Sequence, residues 1–267
     1  MGCGGEMTDV IKQITSDLYR QIQNFEPQNI VTKHTLPQFI DEAEYLVSKV
    51  NMLSRSELGE LLEVNSNLAK LNSDRHFNWQ RPFTTKNAKQ TVFAYNGEVF
   101  RGLDAKTLSA SNLTYLQSHL RILSGLYGVL RPFDLIQPYR LDVSTRLKTD
   151  AGSNLYSFWK NKTTEALNEA LKASGGEQVL LNLASGEYMK SINRKLLKAR
   201  IIDFEFLESK DDKYKPIVIY IKKARGMMVR FVVENRIESL EDIKGFSAED
   251  YWFSPQLSTE TKFVFTR

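Results

Sequence analysis

Residues 121–132 read R-I-L-S-G-L-Y-G-V-L-R-P, with Gly125 and Gly128 set among apolar side chains and an arginine, Arg121 or Arg131, on either side. Glycine tolerates positive φ and lets another backbone come close, so a pair at this spacing marks a tight reversal of the chain. Two readings satisfy the pattern. One is a turn between helices that binds nothing. The other is a helix-hairpin-helix unit, whose amides after the turn point outward and grip phosphate oxygens without reading any base. Ser124, Gly125, Leu126, Tyr127, Gly128 and Val129 would then meet the phosphates, and Arg121 and Arg131 would add charge. Pro132 cuts the second helix short, which counts against the second reading.

Two other stretches join a predicted strand to a predicted helix. In N-L-A-S-G-E-Y (182–188), Ser185-Gly186 opens a helix whose amides could hold an anion beside Asn182, or Ser185 is merely the N-cap. Glu187 is a candidate acid or base without a visible partner. In K-K-A-R-G-M-M-V-R (222–230), Lys223 and Arg225 are candidate phosphate contacts. Arg230 lies seven residues after Lys223 on the same helical face, with Glu234 one turn further on. Gly226 points to close approach of another group.

Charge sharpens these candidates. The whole chain carries a net +4. Residues 186–236 hold thirteen Lys/Arg against seven Asp/Glu, an excess larger than that of the full chain. A basic surface of that kind fits an anionic partner. One cysteine, Cys3, rules out an internal disulfide and a Cys-rich zinc site, and a reducing, cytoplasmic setting is expected. Glu6 stands where a myristoylation signal wants Ser or Thr. His34, His76 and His119 are isolated, and no Walker, dinucleotide or nucleophile-elbow motif occurs. No catalytic residue, metal ligand or cofactor is therefore predicted.

Periodicity predicts helices over 8–24, from Pro37, after the Ser54/Glu57 capping box, and over 63–72, 105–122, 153–173 and 224–237. Residues 72–82 read as a loop holding Phe77 and Trp79 on the core. Asn96-Gly97 signals a β-hairpin. Strands are expected at 178–183, 200–207, 216–221 and 262–266. Helices and strands mix without a βαβ rhythm, so the fold class is α+β (mixed α/β), in one compact domain.

The three glycine-bearing stretches, L-S-G-L-Y-G-V-L-R-P-F-D-L-I-Q-P-Y-R-L (123–141), N-L-A-S-G-E-Y and K-K-A-R-G-M-M-V-R-F, together resemble the peroxide stress protein YaaA family. Leu36-Pro37-Gln38-Phe39 and F-A-Y-N-G-E-V-F (93–100) agree. The resemblance covers 35–267 and leaves 1–34 as a divergent segment, without the hydrophobic strand and Ser-Pro-Ala-Lys-Thr run that open the family. It implies a bacterial cytoplasmic protein that protects against hydrogen peroxide, limits iron-mediated DNA damage and is linked with DNA repair. It also implies binding of duplex or junction DNA through a helix-hairpin-helix at Ser124–Val129 and a cleft charged by Arg131, Arg140, Lys223, Arg225 and Arg230. No enzymatic activity is implied. The alternative from the residues themselves is an enzyme or sensor for a small phosphorylated ligand at Asn182, Ser185, Lys223 and Arg225.

Overall fold

The computed structural model describes residues 23–26, 33–174, 178–211 and 213–267; most of the helix expected at 8–24 lies outside them. In chain order the elements are α1 (Ile40–Asn51), α2 (Arg55–Leu61), α3 (Ser66–Phe77), β1 (Lys89–Gln90), α4 (Thr91–Ala94), α5 (Glu98–Leu103), α6 (Ala110–His119), β2 (Ile122–Ser124), β3 (Gly128–Leu130), β4 (Leu135–Ile136), α7 (Leu155–Ser174), β5 (Val179–Asn182), α8 (Gly186–Met189), β6 (Arg200–Lys210), β7 (Lys213–Lys215), α9 (Val218–Glu234), α10 (Leu240–Ile243), β8 (Trp252–Phe253) and β9 (Lys262–Thr266). The mixed α/β class is as expected. The buried apolar side chains form one continuous core from Ala43 to Phe265.

The main sheet runs β5-β6-β9-β8, with β7 folded back on β6. β5, β6 and β9 are parallel and β8 is antiparallel to β9. β5 is buried along its whole length, as a strand covered on both faces must be. On β6 the buried residues alternate as Ile202, Phe204 and Phe206, the period-two signature of a strand with one face on the core. Ser54 and Glu57 form the expected reciprocal cap of α2. Among the described residues no helix is long and apolar enough to cross a membrane.

Three local expectations are overturned. Asn96-Gly97 is not a hairpin: Gly97 sits at φ −77° and leads into α5, so the positive φ of a type I′ turn is absent. Residues 216–221 are not a strand, since α9 starts at Val218. Their β-branched side chains favour strand only weakly, and packing decides. Finally, α3 runs on to Phe77, which is exposed, while Trp79 alone reaches the core.

The packing that decides is α9 against α5. A Cβ on Gly226 would collide with the Val99 carbonyl, and one on Gly102 with the Lys223 carbonyl. The close approach expected at Gly226 is therefore made by another helix. Gly226→Ala should lower stability by about 1–3 kcal/mol, because backbone cannot yield as a side-chain tip can. Gly186→Ala, where an added Cβ meets nothing, should stay within roughly 0.5 kcal/mol of the parent. Urea midpoints of the two variants test this; coincident midpoints would contradict the helix contact.

Candidate functional site

The glycine pair makes a β-hairpin. β2 and β3 pair antiparallel, with Leu123 opposite Val129 and Ser124 opposite Gly128. This corrects the helix-hairpin-helix expectation: Ile-Leu-Ser and Gly-Val-Leu continue as strands rather than helices. Gly128 takes the positive φ, at +67°, and the Trp159 ring fills the space a side chain would need. The amides that were to grip phosphate are already used. Leu126 and Tyr127 donate their N–H groups to Ser124 Oγ, at 3.2 and 3.0 Å. Ser124 Oγ also bonds the Tyr139 hydroxyl at 2.7 Å, and Trp159 Nε1 donates to the Gly125 carbonyl at 2.8 Å. Leu126 and Tyr127 are fully buried, so Ser124–Val129 belongs to the interior.

The flanking arginines serve the same interior. Arg121 donates to the Ser118 and Leu120 carbonyls. Arg131 binds Asp134 and the Leu36 carbonyl. Asp134 is almost wholly buried, and burial pushes its carboxyl above the usual range despite the bonds from Thr35 and Arg131.

A different place gathers the remaining candidates. At the carboxyl end of β5, where parallel sheets commonly bind ligands, lies a cleft of about 780 Å³ whose lining includes Asn182, Gly186 and Arg225. Lys160 from α7, and Lys190, Arg194 and Lys195 from the segment after α8, also line it. The one acid among its described lining residues is Asp203. That acid is engaged: Asn182 Nδ2 donates to it at 2.6 Å and Arg194 at 2.7 Å. Asn182 Oδ1 in turn accepts the Ala184 N–H at 3.0 Å, which fixes the turn out of β5. Lys160, Lys190 and Lys195 form no ion pair among the described residues. The cleft thus presents an uncompensated positive field to an anion.

Ser185 is the N-cap of α8, accepting the Tyr188 N–H at 3.4 Å. With α8 only one turn long, the cations supply the pull on an anion. The other predicted contacts lie elsewhere. Lys223 pairs with Glu249. Arg230 bonds Glu234, Thr107 and the Leu103 carbonyl. Arg140 stands on the segment after β4, outside the cleft lining. Lys190, Arg194 and Lys195 belong to the stretch whose basic excess is visible in the sequence, whereas nothing in the sequence marks Lys160. Among the described residues no group of three or more His, Cys, Asp or Glu is placed to hold a metal ion.

Comparison with known proteins adds a family. The family model described as peroxide stress protein YaaA matches residues 13–257. A UPF0246 protein of Burkholderia thailandensis is 47% identical over 245 residues, covering 91% of this chain and 94% of the relative. UPF0246 proteins of Paraburkholderia phytofirmans and Paraburkholderia xenovorans are 46% and 44% identical over the same shares.

Ser124→Ala separates the interior role of the hairpin from a binding role. It leaves two buried amides without their acceptor and should cost on the order of 2 kcal/mol in urea unfolding. Anion binding by the folded variant should equal that of the parent. Lost binding with stability intact would instead put the ligand at the hairpin.

Proposed function

Because the chain belongs to the peroxide stress protein YaaA family, we propose that it serves the peroxide stress response by binding DNA through the phosphate backbone, at the cleft between β5, α7 and α9. The observation that carries this reading is the charge of the cleft: among the described residues, five cations, three of them without an ion pair, surround one neutralised acid. Lysine and arginine on phosphates position a duplex but carry no sequence information, so the binding is sequence-independent. Bringing DNA onto a stress protein is consistent with limiting oxidative damage to it. The size of the cleft also favours a second reading, a small phosphorylated ligand, since about 780 Å³ falls in the range of small-molecule sites. Asn182 and Arg225 line it, whereas Ser185 and Lys223 do not.

Fluorescence anisotropy with a labelled duplex across a salt series tests the first reading. Affinity should fall steeply with salt, and Lys190→Ala/Lys195→Ala should lower the slope of log K against log salt by about two, one per lost phosphate contact. Salt-independent binding, or a double variant that matches the parent in affinity and slope, would refute it. A thermal shift with a nucleotide but none with a duplex would favour the second reading.

A further inference from the structure

A space of about 780 Å³ has the volume of a cube about 9 Å on edge. The two grooves of B-form DNA are about 8.5 and 7.5 Å deep, so a duplex is thicker than about 16 Å. The cleft therefore encloses no stretch of duplex. A duplex rests on its rim, and what goes inside has the size of a small molecule, such as one nucleotide. The walls suit a nucleotide. Met189, Ile192 and Phe204 line the cleft and are buried, which gives a base or sugar an apolar surface to lie on. Lys190, Arg194 and Lys195 line it too and give a phosphate its counter-charge. Of these, Arg194 is the one that the fold aims. It donates from one terminal nitrogen to Asp203 Oδ2 at 2.7 Å, and Asp203 Oδ1 accepts from Asn182 Nδ2 at 2.6 Å. Asn182 is itself held, since its Oδ1 accepts the Ala184 N–H at 3.0 Å. A carboxylate gripped at both oxygens cannot turn, so the guanidinium is fixed from the sheet. The remaining N–H groups of Arg194 have no partner among the described residues. They form the planar, paired donors that match two oxygens of one phosphate.

We propose that the cleft takes a nucleotide ending in a phosphate monoester, with Arg194 selecting it and Asp203 as the positioning residue behind Arg194. The inference rests on the reading of the cleft as a DNA site and narrows it: the preferred substrate is a phosphorylated strand end rather than continuous backbone. The preference follows from counting oxygens and charge. A phosphodiester within a strand has two free oxygens and one negative charge, and the Arg194 fork takes both oxygens. A terminal monoester has three free oxygens and a charge of about −1.5 to −2 at pH 7. The fork holds two of them, and the third meets Lys190 or Lys195. Five cations around one neutralised acid, among the described lining residues, exceed what a single diester balances. Access points the same way. A nucleotide inside a duplex must be flipped out of its stack to enter so small a space, which costs free energy. An unpaired end enters without that cost while the paired part stays on the rim.

The test uses a labelled duplex whose strands splay into two short unpaired arms at one end. It is made with a phosphate on the 5′ arm, on the 3′ arm or on neither. By fluorescence anisotropy at fixed salt, the full chain should bind at least one phosphorylated form about tenfold more tightly than the unphosphorylated one, the effect of one added charge-assisted contact. This comparison needs no variant. Arg194→Lys keeps the charge and loses the fork, so the ratio should fall from about tenfold to about twofold. Asp203→Asn frees the guanidinium and should lower the ratio likewise, with circular dichroism confirming that each variant is folded. A merely structural effect would weaken all three forms together and leave the ratio unchanged. Deoxyadenosine 5′-monophosphate distinguishes a strand end from a free nucleotide. Competition that removes the tenfold advantage, and spares binding of the unphosphorylated form, supports the strand end. A thermal shift with the mononucleotide, and no binding of any duplex form, overturns the DNA reading and the strand end with it. Equal binding of the three forms by the parent overturns the proposal and leaves the DNA reading standing. A ratio that stays near ten in both variants overturns the role of Arg194.

Discussion

The contact on which most of the molecule rests is the one made by the bare backbone of Gly125. Its carbonyl takes the Trp159 indole N–H, and its missing side chain lets the Leu141 carbonyl lie directly against the turn. Three distant stretches of chain meet there: the β2–β3 hairpin, α7 and the segment from Tyr139 to Asp142. Ser124 closes the knot by accepting two amides of the turn and bonding Tyr139, whose hydroxyl also meets that of Tyr95. Tyr127 extends it further, accepting from Trp79 Nε1 at 2.9 Å and from the Gln137 amide at 3.2 Å. In surroundings this dry each of these bonds is worth more than in water, and each would be costly to leave unmade. The same knot orients α7, which carries Lys160 to the cleft, and the segment that carries Arg140 and Asp142.

The cleft itself follows from register and from one more glycine. Parallel pairing puts Asn182 opposite Asp203, so the amide at the end of one strand can bond the carboxylate of the next and still hold its own turn. That carboxylate is also the anchor for Arg194. Across from it, Gly226 lets α9 sink onto α5 until backbone meets backbone. Arg225, the residue before that contact, is thereby brought to the cleft, while Lys223 pairs with Glu249 instead. A bulkier residue at position 226 would lift the helix and carry Arg225 with it.

How much of this was legible in the sequence depended on the range of the signal. The strands at 179–182, 200–210 and 262–266 and the helix at 155–174 were readable because burial imposes a period on the side chains themselves. The capping box of α2 was readable because four consecutive residues, Ser54 to Glu57, contain all of it. The hairpin was misread for a definite reason: paired glycines specify a tight turn, and the pattern is the same whether helices or strands enter it. Asn96-Gly97 and residues 216–221 failed in the same way, since local preference there is weaker than the packing of α5 on α9. At the site, Asn182, Gly186 and Arg225 were found from their junctions of strand and helix. Lys160 comes from another element altogether, and only the folded chain brings it near.

Charge counted along the chain is not charge available to a ligand. Arg121, Arg131, Lys223 and Arg230 all looked like phosphate contacts, and each is spent on a carbonyl or a carboxylate within the fold. A cation held close to its own counter-charge projects little field beyond it, and its donors are already oriented inward. Around the cleft, Lys160, Lys190 and Lys195 form no such pair among the described residues. They are exposed, on long stems suited to a surface as large and repetitive as a nucleic-acid backbone. Which cations the fold leaves unspent is a stronger guide to what it can bind than the number of basic residues counted along the sequence.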